Sequence, residues 1–495
     1  MKLIVKDMDI ATGGIQVILI NQKDAVKLDL HHGDRVIVKK GNKKTVAITD
    51  IAESKKAVSP GHIGLFEEVL DTLNVKQDAI VTIDLIDKPA SLVSIRKKLD
   101  KKELTKEEIN GIVKDIISNN LTEIELCYFI SGCYTNGLSL EETGALAKAI
   151  VDSGEILNFS NGLIFDKHCI GGVPGNRTTM VVVPICVAAG LKFPKTSSRS
   201  ITSPSGTADT MEVLAPVSVK LTKLKIIMKK VGGFIAWGGG MGLATADDKL
   251  IRLRHPLSLD PQGMLLASIL AKKAAVKATH VLIDIPVGLE AKVVSEKKAK
   301  ILKKDFTMLG KHLGMKIKVI LSDGKEPIGH GIGPNLEARD VLWVLQNDIK
   351  APSDLKRKSL YVTTLILKMA GVKRPKETAR VMLESGLAYK KMQDMIRAQG
   401  GNPYIDPNKI KVGEFSYKVL AQKSGKIKYL HNKRIARIAR IAGAPLDKAA
   451  GIYLNYHVGY NIKKGETVFI IYSDSKEKLK YAITELNKKP VFEIN

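Results

Sequence analysis

Three short segments carry residue types that could do chemistry on an anion. The first, DKHCIGGVPGNRTT at 166–179, sets Lys167, His168, Gly171, Gly172, Gly175, Arg177, Thr178 and Thr179 directly before an apolar run. Glycines let backbone N–H groups approach an anion closely, and a following helix would add its positive amino end. It matches neither the nucleotide P-loop nor the dinucleotide fingerprint, because no G-K-[ST] closes it. Anion binding is favoured over a plain tight turn. The second, KTSSRSITSPSGTADTMEVL at 195–214, places Ser198, Ser200, Thr202, Ser203 and Thr207 around Arg199. Hydroxyl-rich loops are usually solvated, yet this one holds an arginine and follows closely on the first anion loop. Two such loops suit a substrate that carries one phosphate and reacts with another. The third, RLRHPLSLDPQGMLLASILAKKAA at 252–275, reads as a helix started by Pro261 with Asp260 as its cap, and it places Ser268 and Lys272 on one face.

These segments need elements to position them. The 495 residues are too many for one ordinary core, and 44% hydrophobic with 26% charged residues is the balance of a folded multi-domain protein. Residues 1–86 alternate short apolar stretches (2–5, 14–19, 35–38, 45–50, 79–85) with Gly, Asn and Asp turns, predicting a small β-rich domain. Residues 87–160 turn helical: Ile109, Ile112, Val113, Ile116 and Ile117 have the spacing of one helix face behind a Thr105/Glu108 capping box, and amphipathic segments follow at 122–133 and 139–153. Further helices from later in the chain are expected to join this helical domain. Residues 161–411 alternate glycine loops with buried-looking runs at 178–191, 279–288 and 316–324, predicting a central, mostly parallel α/β domain. Ligands of such sheets sit at the carboxyl ends of the strands. Helices are expected over 355–399. Residues 412–495 mix short strands with one helix, a small α+β domain.

Composition also narrows the partners. No uncharged apolar run approaches the roughly 20 residues that span a bilayer, and the amino terminus lacks the unbroken apolar stretch of a signal peptide, so a cytoplasmic protein is expected. Four cysteines without C-x-x-C spacing argue against a disulfide framework or a zinc site, and no metal cluster is expected. The formal charge of +27 would attract anions, but lysines are spread along the whole chain and aromatics are only 5%, poor material for stacking on bases. Nucleic acid is therefore not the expected partner. A non-enzymatic nucleic-acid binder stays open as a rival, predicting salt-sensitive binding to polynucleotides.

Taken together the motifs resemble the thymidine/pyrimidine-nucleoside phosphorylase family over nearly the whole chain. KHxxGG at 167–172 is similar to its phosphate loop. Ser197, Arg199, Gly206, Thr207, Asp209 and Glu212 match its signature, and ASILAKK at 267–273 has a counterpart. Serines stand where the nucleoside enzymes have glycines after the arginine, and the amino-terminal β domain is extra. Both departures resemble the archaeal branch that acts on nucleoside 5′-monophosphates. Cys169 stands where the family usually has serine, replacing a hydroxyl donor by a weak thiol.

The resemblance implies phosphorolysis of AMP, and of related nucleoside 5′-monophosphates, by inorganic phosphate to free base and ribose 1,5-bisphosphate. No cofactor is implied, phosphate being a co-substrate, and a homodimer or larger homo-oligomer is. It implies Asp260 as general acid, and Lys167, His168, Gly171, Thr178 and Thr179 as phosphate ligands. Gly172, Ser198, Arg199, Ser200, Ile201, Thr202, Ser203, Thr207, Ser268 and Lys292 would hold the nucleotide. Two enzymatic rivals remain: a pyrimidine nucleoside phosphorylase, and an anthranilate-type phosphoribosyltransferase, which would need an acidic magnesium-binding pair that is not apparent. His330 is left unassigned.

Overall fold

The computed structural model describes the chain apart from residues 160–161, 201–202, 255 and 258. It divides into two compact units, one formed by residues 1–153 and 245–267, the other by 154–244 and 268–495. The chain crosses between them three times, and the third crossing, at 267–268, falls inside the helix Gln262–Ala275.

The first unit opens with a closed six-stranded barrel in the order Lys2–Asp7, His62–Leu65, Val17–Asn21, Lys43–Ala52, Arg35–Lys40, Ile80–Leu85. Alternation explains it: Leu3 and Val5, Ile18 and Ile20, Val36 and Val38, Val81 and Ile83 all point into one buried core. The sequence pattern omitted the strand His62–Leu65 because HIGL is too short to show a period, yet it closes the ring between the first two strands. Four helices follow, Ser91–Leu99, Lys106–Ile117, Glu123–Asn136 and Leu140–Asp152. The last three each begin with a capping box, built by Thr105 and Glu108, Thr122 and Glu125, and Ser139 and Glu142. Thr245–Arg254 returns to pack on this bundle.

The second unit is built on parallel strands. Lys316–Asp323, His280–Val287 and Phe165–Cys169 form one sheet, and Phe193–Ser197 pairs with Gly233–Trp237. A parallel bridge from Ile164 to Lys192 joins the two sets. All five strands therefore run the same way, and their carboxyl ends share one edge. Residues 178–188, read from sequence among the buried runs, form the helix Thr178–Ala188 expected to follow the first glycine loop. Its residues from Thr178 to Val187 are all buried, so no polar face marks the helical period. Pro184 lies inside it, forgoing the bond to the carbonyl of Met180.

Beyond the helices Ser353–Met369, Pro375–Glu384 and Leu387–Gln399, the chain ends in two small antiparallel sheets. They enclose a core of Ile435, Ile438, Leu454, Phe469 and Ile471. Two helices, Asn432–Ile441 and Lys476–Leu486, pack there instead of the single one expected. The second buries only Ala482 and Glu485, too narrow a stripe to stand out in sequence.

Candidate active site

The strand Phe165–Cys169 carries Lys167 into the interior, where its side chain is fully buried. Its Nζ donates to the hydroxyls of Thr178, at 2.8 Å, and Thr179, at 3.3 Å. Those threonines open the helix Thr178–Ala188, so lysine, hydroxyls and helix amino end converge. Burial pushes the Lys167 ammonium below its usual range. Between strand and helix the chain turns through Gly171, Gly172 and Gly175, all at positive φ. At Gly172 a Cβ would stand 2.3 Å from the backbone nitrogen of Lys292, which places that residue directly against the loop.

His168 departs from a simple cationic role. Burial, followed by the charges of Lys273, Lys195, Lys167 and Lys272, holds it well below 6.5. At neutral pH it is an uncharged imidazole, able to donate one hydrogen bond to an oxygen ligand but not to supply a charge. The Cys169 thiol, pushed up by burial, accepts from Asn176 Nδ2 at 3.4 Å.

The serine-rich loop leaves the neighbouring strand Phe193–Ser197. Asp209 shapes it by accepting the N–H groups of Ser200, at 2.7 Å, and Gly206, at 2.8 Å. Arg199 pairs with Glu212 at 2.5 Å and reaches Asp209 at 3.3 Å, while its guanidinium lies 5.0 Å from the Trp237 ring centre. Hydrogen bonding from Arg199, reinforced by Lys448, lowers Glu212 to about 2. Arg199 therefore braces the loop, its charge already met by two carboxylates. Ser203 Oγ donates to the carbonyl of Ser205 at 3.0 Å, Ser200 Oγ donates to the carbonyl of Ser203, and Ser198 is exposed. Ile201 and Thr202 lie outside the described residues.

One residue that the sequence left without a role links the loops. Arg177, in the first loop, donates to Thr207 Oγ1 at 3.1 Å and to the Ser205 carbonyl at 2.8 Å in the second. It is also ion-paired with buried Glu337, which accepts from Thr210 at 2.8 Å. No local pattern could show this, since Glu337 is 160 residues away.

Ser268 is buried on the helix Gln262–Ala275, in the same unit as both loops. Asp260 belongs to the other unit and is exposed. The helix begins at Gln262, and its first bond runs from Leu265 N–H to the Pro261 carbonyl at 2.9 Å. Pro261, not Asp260, therefore stands at the cap position. His330 is structural: its Nδ1 lies 3.0 Å from the Leu454 carbonyl, and burial lowers its basicity. Among the described residues no His, Cys, Asp and Glu group is arranged to hold a metal ion.

Known proteins resemble this chain along most of its length. The helical bundle domain of a glycosyl transferase family matches residues 94–154, that family's a/b domain matches 161–235, and a pyrimidine nucleoside phosphorylase C-terminal domain matches 426–493. A protein named AMP phosphorylase from Methanococcoides burtonii is 43% identical, with 99% of this chain and 97% of that protein covered. One of the same name from Thermococcus kodakarensis is 42% identical, over 98% and 96%. Among solved structures, anthranilate phosphoribosyltransferase from Thermus thermophilus superposes with a TM-score of 0.53 at 15% identity, over 62% of this chain and 99% of that one. At that identity the likeness is one of fold alone, which explains why such an enzyme stood among the rivals.

Proposed function

This chain belongs to the AMP phosphorylase family, and we propose that its two anion loops hold the two phosphates of one reaction, the phosphorolysis of AMP. The observation that carries this reading is the placement of the loops on adjoining parallel strands, with Arg177 hydrogen-bonded from one to the other. The loop with buried Lys167 suits the attacking phosphate, whose charge must be balanced. The serine loop suits the 5′-phosphate, with Ser268 and Lys292 completing the nucleotide site.

As the base leaves, C1′ of the ribose gains positive character. A phosphate oxygen forms the new bond to C1′ while the C1′–N bond breaks, and its electron pair goes to the base. Asp260 gives a proton to a ring nitrogen, so the products are free base and ribose 1,5-bisphosphate. The proton must be in place as the C1′–N bond breaks, when the departing electron pair needs it. Exclusion of water at that moment also suppresses hydrolysis, the competing reaction. No cofactor is required in this scheme. Other nucleoside 5′-monophosphates fit the same phosphate donors, and we place the enzyme in the cytoplasm as a homodimer or larger homo-oligomer.

The direct test is adenine release from AMP with and without inorganic phosphate, with no added metal, beside adenosine. Adenine formed only from AMP and only with phosphate is expected. Release from adenosine at a comparable rate would remove the serine loop's assignment and move the protein to the nucleoside enzymes.

A further inference from the structure

Asp166 precedes Lys167 on the same strand, and its carboxylate is completely buried. Three segments meet on it. Its Oδ1 accepts the Lys167 backbone N–H at 2.6 Å and lies 3.4 Å from Lys195 Nζ, while Oδ2 lies 2.7 Å from Lys273 Nζ. Lys195 sits on the strand Phe193–Ser197 that leads into the serine loop, and its Nζ also donates to the Thr196 carbonyl at 2.5 Å. Lys273 sits on the helix that carries Ser268. Each segment bearing a motif is thus tied to one carboxylate through a buried group.

Buried ion pairs of this kind are weak sources of stability, and in some proteins they serve instead to fix one arrangement of the segments they join. Here the charges do not cancel. One carboxylate faces the ammonium groups of Lys195 and Lys273, and Lys167 and Lys272 also bear on adjoining His168. Burial outweighs the attraction of Asp166, with Lys273 and Lys167 opposing as well, so that Lys195 is held at about 7. Lys195 therefore lacks a full counter-charge within the cluster, and an anion bound at the Lys167 loop would supply it.

We propose that Asp166, Lys195 and Lys273 form a positioning cluster that sets the two anion loops and the Ser268 helix against one another, and that inorganic phosphate completes its charge. None of the three need touch a reacting atom. The inference rests on the assignment of the loops to phosphate and nucleotide, and it goes beyond it in naming what fixes their separation.

The test uses the full-length chain with Asp166→Asn, Lys195→Met, Lys273→Met and the triple combination. Replacing all three charges together leaves no uncompensated ion, so the triple variant is expected to fold with near-native thermal stability. Its kcat should nevertheless fall about 100-fold, the scale of a misplacement near 1 Å, with the KM for AMP within about threefold. Calorimetry of phosphate binding at pH 8, in two buffers of different ionisation enthalpy, should show proton uptake in the wild type that is lost in Lys195→Met. A triple variant with native kcat, or proton uptake unchanged in Lys195→Met, would overturn the proposal. If the wild type fails to split AMP while the calorimetric difference persists, the functional assignment falls and the cluster stands as a phosphate-linked device.

Discussion

The two anion loops lie on neighbouring strands and solve opposite problems. In the first, Lys167 meets only the hydroxyls of Thr178 and Thr179, and no carboxylate of the described residues pairs with it. Its charge remains available to a ligand. In the second, Arg199 is already neutralised by Glu212 and Asp209, and Asp209 also holds the N–H groups of Ser200 and Gly206, so the shape of the loop is set before a ligand arrives. The contrast fits the chemistry of the two phosphates: the attacking one needs charge balanced close to C1′, whereas the 5′-phosphate is a handle that needs only to be gripped.

The sharpest way to break that contrast is Lys167→Met. Loss of the buried cation should lower kcat/KM for phosphate by roughly 10²- to 10³-fold, with a much smaller change in the KM for AMP, as steady-state kinetics with each substrate varied would show. A comparable loss for AMP would mean that the loops share one phosphate. Arg199→Lys keeps a positive charge but gives up the paired geometry with Glu212. About a tenfold rise in the KM for AMP is expected, the size of one charge-assisted hydrogen bond, with kcat for saturating substrates nearly unchanged. Cys169→Ser restores a hydroxyl beside Asn176 and should lower the KM for phosphate about threefold. No change there would show that residue 169 does not reach the ligand.

Acid should separate the loops by a smaller effect. Glu212 has its folded-state pKa depressed to about 2 from 4.5, so its stabilisation is fully present above 4.5 and is lost as pH falls toward 2. Tryptophan emission, to which Trp237 contributes through its contact with Arg199, should change over that window, and Glu212→Gln should flatten the change. Elsewhere in the second unit the sign is reversed. Burial raises Asp340 to about 7 although it accepts the N–H groups of His330 and Gly331, so the fold binds an extra proton between 3.8 and 7. That contribution is lost as pH rises through 7, and Asp340→Asn should remove it from a thermal-stability profile measured between pH 5 and 8.

Much of this was legible in sequence, for identifiable reasons. Alternating valines and isoleucines in the barrel, and the Thr/Glu and Ser/Glu boxes before three helices, are local signals that tertiary context reinforces. The helix Thr178–Ala188 was legible from the glycine loop before it and not from its own period, which burial on all sides erases. In the site, the glycines and hydroxyls stood out because each turn or cap needs them locally. Asp166, Lys195, Lys273 and Glu337 did not. A charged residue in a strand or helix ordinarily marks a solvated face, and only pairing across distant segments makes these buried.

The amino-terminal barrel has a consequence for how this protein meets others of its kind. Because its six strands close on themselves, every strand has a hydrogen-bonded neighbour on both sides. A lysine-rich chain that leaves Val26, Ile80 and Leu85 exposed on this unit therefore offers no open strand for cross-β addition. Any contact made through the barrel must be read by side chains on its outer wall, where selection can tune it residue by residue, and not by the backbone, which every protein shares.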